Sequence, residues 1–277
     1  MQPNHTLPVI GAALRIAELP DFMDWLVADQ RDLEIQDPCY PDVLDMDWQP
    51  LAEEGRVRLE QAGYKGRVGI HAAFDGLELL TFDKKIREVV RLRYRQSLEF
   101  GAVLGATHMV IHSPFISFGS GWANYSPASQ RQVVIDNARA VLDDILPIAE
   151  AQKCVLVIEC ILDKNPLPLV ELVRCFKSDY VRLSIDTGHA YLMERDGGAP
   201  PHQWVLEAGD LLGHVHLQDL DGHSDRHWAI GDGNINWPAF FRALRRVNSN
   251  PRLVLELANS SDIWPSMAWL SERKLAR

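Results

Sequence analysis

Short apolar runs alternate along the chain with longer stretches in which apolar residues recur at helical spacing. Residues 7–14 read as a first strand, and Phe22, Trp25 and Leu26 then mark one side of a helix over 21–29. Residues 33–36 read as a short second strand. The segment 37–55 holds Pro38, Pro41 and Pro50 among many acids and is expected to be an irregular excursion, with helical pattern resuming over 57–62. Further strands are expected at 68–71, 109–112, 155–159, 181–185, 211–217 and 253–256, and further helices at 84–104, 134–149, 167–176, 204–208, 238–247 and 262–270.

That makes eight strand-like runs, most of them separated by helical ones, with no repeat and no linker that would divide the chain. The run VLVIE ending at Glu159 is apolar at successive positions, the pattern of a strand covered on both faces. Parallel strands joined by helices follow, and eight units in 277 residues fit a (β/α)8 barrel, an α/β fold of one domain over 1–277, better than an open doubly wound sheet. The glycine-rich turn of a nucleotide-binding open sheet is absent after the early strands, and Gly231-Asp-Gly233 reads as a simple turn.

Composition narrows the function classes. With 47% hydrophobic and 24% charged residues the chain is of ordinary globular type, and its net charge of −10 gives no broad electrostatic footprint for nucleic acid or anionic membranes. Cys39, Cys154, Cys160 and Cys175 are too sparse and too irregularly spaced for a disulfide framework, which favours a reducing cytoplasm. The N-terminal residues lack the pattern of an export signal, and no apolar run is long enough to cross a bilayer.

The chemistry gathers at strand ends. His71, His112, Glu159, Asp186, His216 and Glu256 each stand at or just beyond the C-terminal end of a different apolar run, and in a barrel those ends converge on one face. His189, Asp225 and His227 lie in the loops just after two of these strands and can reach the same mouth. The richest stretch is HVHLQDLDGHSDRHWAIGDGNINW, residues 214–237, whose His214 and His216 fall on the same face of a strand. Imidazoles and carboxylates so placed suit a divalent zinc, manganese, cobalt or iron ion. His214, one layer deeper than His216, is expected to orient a ligand rather than to be one. His5, His108, His202 and His223 read as ordinary histidines.

The order Glu159, Asp186-x-x-His189, His216 and Glu256 resembles the xylose isomerase-like barrel superfamily, which includes sugar isomerases and epimerases and the apurinic-site nucleases of the endonuclease IV type. The resemblance spans nearly the whole chain. Its most specific passage is His216-x-x-Asp219 followed by Asp225-Arg226-His227 and Gly231-Asp-Gly-Asn-Ile. It implies a central metal held by Glu159, Asp186, His216 and Glu256. In the nuclease branch His71 and His112 with a bridging Glu159 would hold a second ion, and His189, Asp225 and His227 a third, so the expectation is one to three ions per chain.

Two mechanisms fit these residues. In an isomerase or epimerase the metal binds the oxygens of a sugar or sugar phosphate, an enediolate forms, and Glu159 and Glu256 remove and return the proton. His189 and the loop aromatics Phe115, Phe118 and Trp122 would then contact the substrate. In a nuclease, clustered metals would cleave a phosphodiester at abasic DNA. The loops after the first two strands carry no basic, aromatic-interleaved surface, and residues 37–54 are strongly acidic, so a small sugar-like substrate is the favoured reading. A dehydratase or lyase acting on a polyol or keto acid would use the same two glutamates. The apolar faces of the outer helices leave homo-oligomer formation open.

Overall fold

The computed structural model describes residues 7–116 and 128–277. Eight strands, β1 (Gly11–Leu14), β2 (Leu33–Ile35), β3 (Val68–His71), β4 (His108–His112), β5 (Val155–Cys160), β6 (Val181–Asp186), β7 (Leu212–Leu217) and β8 (Arg252–Leu255), close in sequence order into a barrel. Every neighbouring pair is parallel, including β8 with β1, where Gly11 lies opposite Val254. This is the (β/α)8 barrel that the alternation of runs predicts.

The helices are α1 (Leu19–Ala28), α2 (Pro41–Asp45), α3 (Gln49–Gln61), α4 (Lys84–Leu104), α5 (Ala128–Gln152), α6 (Pro166–Cys175), α7 (Thr187–Arg195), α8 (Pro201–Ala208), α9 (Trp237–Leu244) and α10 (Ile263–Glu272). Their starts carry local chemistry. Asp83 accepts from the amides of Lys85 and Ile86 at the head of α4, and Asn236 accepts from Ala239 N at the head of α9. Gly105, at φ +72°, ends α4 in the left-handed conformation that glycine adopts without steric cost.

The segment 37–55 departs from expectation. It contains a 3-10 turn at Asp37–Cys39, then α2, and α3 begins at Gln49 rather than near Val57. Pro41 and Pro50 fall in the first positions of their helices, where a missing N–H costs nothing, so they start helices instead of breaking them. Helix α7 is likewise an addition to the sequence reading.

The pleat divides each strand between two environments. Leu33, Ile35, Met109, Ile111, Val215 and Leu217 join the continuous apolar core. Glu34, His108, His112, His214 and His216, at the alternate positions, face the lumen. Val110, Val157 and Val254 are buried in the barrel without belonging to that core. The continuous oil layer therefore lies outside the sheet, and polar groups stand with these valines inside it. Among the described residues no helix is long and apolar enough to cross a membrane.

Candidate metal centre

Register sets the site. His112 lies opposite Glu159 across β4 and β5, and Asp186 lies opposite His216 across β6 and β7, so four candidate ligands stand side by side at the strand ends. Three groups converge there: Glu159, Asp186, His216 and Glu256; His71, His112 and Glu159; and His189, Asp225 and His227. In each, the candidate ligand atoms lie within 4.8 Å of one another. All nine residues read from the strand ends and following loops are thus brought to one mouth.

Glu159 joins two of the groups. Its Oε1 is 3.2 Å from His216 Nδ1, and its Oε2 is 3.6 Å from His71 Nε2 and 4.0 Å from His112 Nε2. Glu256 Oε2 stands 3.3 Å from the same His216 nitrogen. The outer group is more open: Asp225 Oδ2 is 3.2 Å from His189 Nε2 and 3.1 Å from His227 Nε2. His227 is held at φ +49°, an uncommon left-handed conformation for a residue with a side chain.

The far sides of the rings are fixed. His71 Nδ1 lies 2.8 Å from the carbonyl oxygen of Ala72, and His227 Nδ1 lies 2.9 Å from that of Glu256. Donation there leaves each Nε2 facing its cluster. His216 is turned the other way: Nε2 lies 2.9 Å from Glu34 Oε1, which leaves Nδ1 for the centre. Gln218, fully buried, donates through Nε2 to Asp225 Oδ1 at 2.8 Å and Asp186 Oδ1 at 3.2 Å, while its Oε1 accepts from His227 N at 2.9 Å. Gln36 donates to both Glu34 and Glu256, at 2.9 and 3.2 Å.

Glu34, Gln36 and Gln218 are residues the sequence reading missed. Glu34 had one signal, a carboxylate between leucine and isoleucine in a strand. His108, read as ordinary, is wholly buried with its Nε2 3.6 Å from Glu34 Oε2. His214 does lie beneath His216, with ring centroids 4.5 Å apart. Phe115 is entirely buried in the apolar core. Trp122 and Phe118 lie outside the described residues. His223 is exposed, His202 half-buried, and neither joins a cluster.

Electrostatics show what the site demands. Burial alone would raise the Glu159 carboxyl, but His216, His189 and His71 around it hold it well below the usual carboxylate range. Burial would lower His216, yet Glu256, Glu34 and Glu159 push it well above its ordinary value. His227 rises to about 9 against its own burial, mainly through Asp225, whereas burial and the neighbouring His71 take His112 down to about 3. Burial lifts Asp186 to about 6. The carboxylates call for positive charge, which protons on the histidines supply in the protein alone. Divalent cations would supply it in their place, with release of those protons.

The donor set fits such ions. Imidazole nitrogens and carboxylate oxygens converge, and Glu159 Oε2 is a buried oxygen with no hydrogen-bond partner among the described residues, as a ligand waiting for a cation would be. Beside the clusters opens a cavity of about 650 Å³ lined by Arg15, Gln36, Tyr40, Phe74, His227 and Glu256. A second cavity, about 480 Å³, lies at the other end of the barrel beside the Asp32–Arg67 ion pair, away from these groups.

Residues 31–274 match the model of the xylose isomerase-like TIM barrel family. The chain belongs to that family. Among its relatives is the uncharacterised protein MJ1311 of Methanocaldococcus jannaschii, 25% identical over 218 residues, 76% of this chain and 70% of that one. An L-ribulose 3-epimerase of Methylomonas sp. (strain DH-1) is 34% identical over 86 residues, covering 31% of this chain and 27% of its own. The crystal structure of a D-tagatose 3-epimerase-like protein superposes with a TM-score of 0.74 at 24% identity, covering 96% of this chain and 98% of that one. These likenesses agree with the family the strand-end residues resemble.

Proposed function

We propose that this protein is a divalent-metal-dependent isomerase or epimerase of a sugar or sugar phosphate. The observation that carries the reading is the convergence of Glu159 and Glu256 on one centre, their carboxylate oxygens 3.2 and 3.3 Å from His216 Nδ1, with Glu256 also lining the cavity. Two carboxylates at one centre supply the pair of groups that removal and return of a proton on a sugar carbon uses. A cavity of about 650 Å³ is of the size that holds a small ligand, and Phe74 and Tyr40 are among the residues that line it. The sugar epimerases among the relatives support the same substrate class.

Glu159, Asp186, His216 and Glu256 would hold the ion, which when bound supplies Lewis-acid polarisation of the substrate carbonyl. Glu256 is the better placed of the two glutamates to reach substrate, since it borders the cavity while Glu159 is buried behind it. Gln36 donates to Glu256 Oε1 and so fixes which oxygen faces the substrate. His189, half-buried between Glu159 and Asp225, would contact the substrate.

The expected result is that Glu256→Gln, loaded with manganese or zinc, loses at least about a thousandfold in kcat on ketoses or their phosphates while keeping its circular dichroism spectrum. Full activity in that variant would remove the proton-transfer role. A second reading has one observation in its favour: the outer His189–Asp225–His227 group is complete, which a single-ion isomerase does not need. Cleavage of an abasic-site duplex, with no turnover of any ketose, would establish a multi-metal phosphodiesterase instead.

A further inference from the structure

We propose that the barrel lumen holds an additional divalent-cation site, formed by Glu34, His108 and His214, one tier below the strand-end clusters. The three residues come from β2, β4 and β7, and all are fully buried. Glu34 Oε2 lies 3.2 Å from His214 Nε2 and 3.6 Å from His108 Nε2, and the three ligand atoms all fall within 4.8 Å of one another. Metal–ligand bonds of about 2.0–2.1 Å at tetrahedral angles place ligand atoms roughly 3.3–3.4 Å apart. The two measured edges bracket that value.

Direction separates this arrangement from a hydrogen-bonded cluster. Glu34 Oε2, His108 Nε2 and His214 Nε2 have no hydrogen-bond partner among the described residues, despite their closeness. The nitrogens sit beside the oxygen without being aimed at it, as atoms directed at a shared third point do. Of the three remaining polar atoms two are engaged, while His108 Nδ1 also has no hydrogen-bond partner among the described residues. His214 Nδ1 pairs with Ser184 Oγ at 2.8 Å, and Glu34 Oε1 is met by Gln36 Nε2 and His216 Nε2, each at 2.9 Å. Glu34 thus divides its two oxygens between two tasks, as Glu159 does above it.

The backbone makes room for this. Glu34 lies opposite Gly69, and Gly69 opposite His108, on three consecutive strands. A Cβ on Gly69 would stand 1.9 Å from atoms of the His108 ring, so the glycine is what allows that ring to lie across the lumen. Two imidazoles with one carboxylate suit zinc or another first-row ion of similar softness, and not magnesium or calcium, which take oxygen shells. Closed off from solvent, the ion would tie β2, β4 and β7 together across the barrel and, through Glu34, hold His216 in the orientation that the upper site uses.

Crystals grown with saturating zinc chloride and measured on both sides of the zinc absorption edge test the site directly. The expected result is an anomalous peak bonded to Glu34 Oε2, His108 Nε2 and His214 Nε2, with zinc content by elemental analysis falling by one ion per chain in His108→Gln. If that variant does not fold, the wild-type map still decides. No peak at that point overturns the proposal, whatever the strand-end clusters hold, and so does a His108→Gln protein that folds and retains every ion.

Discussion

Asp219 accepts from Leu220 N, Gly231 N, Ile235 N and Trp237 Nε1 at 2.8–3.2 Å, and is almost fully buried. It stands three residues beyond His216 in the passage that carries the family resemblance, and its oxygens are spent on the loop that follows. It folds that loop so that Asp225 and His227 return to the mouth. Asp219→Ala would strand several buried donors, each costing roughly 1–3 kcal/mol, so a loss of about 3–5 kcal/mol in urea denaturation is expected. An unchanged midpoint would mean that other contacts hold the loop. Glu34 and His108 were missed at the same scale. A lone acid between two apolar residues of a short strand and a histidine at a strand's first position carry little local mark of what they face. Only the register that places Glu34, Gly69 and His108 side by side reveals them.

At the scale of elements, strand ends were legible because a parallel strand ends where its apolar run ends, and the candidate ligands stand at that point. Helix starts were less so. The prolines of 37–55 have two meanings, breaker or first-turn residue, and the tertiary packing that buries Leu44, Trp48 and Ala52 chooses the second. Asp186 likewise hides a helix start, because its Oδ1 accepts from His189 N at 2.7 Å while it also stands in the central cluster. Where a cap is far from the site its role is purely structural. Asp83 caps the 21-residue α4, and Asp83→Ala is expected to lower stability by about 1 kcal/mol with kcat and KM unchanged. A change in KM would show that α4 transmits to the mouth.

For the whole molecule, the barrel closure and the gathering of nine strand-end and loop candidates at one mouth were readable from one sequence, whereas the lumen tier and the buried position of Phe115 needed the packed structure. The assembled clusters also bear on folding. Glu159, Asp186, Asp225 and Glu256 are gathered in one place by the native chain alone, so cations that bind only that state stabilise it by mass action. With zinc or manganese at about a thousand times its Kd, the gain is roughly 4 kcal/mol. An upward shift in Tm on the order of 10 °C on loading, reversed by chelator, is therefore expected in scanning calorimetry. Equal Tm values with and without metal would show that the clusters do not bind these ions in the folded state.

Because the apolar layer lies between the sheet and its helices while the lumen is lined by ionisable groups, heritable change in the two zones has different currency. Exchanges such as Ile for Val at Ile35 or Ile111 would drift under selection for thermal endurance alone. Exchanges at Glu34, His108 or His214 would act on the polar lumen, away from that apolar layer. A lineage of such barrels could thus trade one chemistry for another by rewriting a short column of inward positions, and a mutant library restricted to that column, screened first for folded members, would explore reactions.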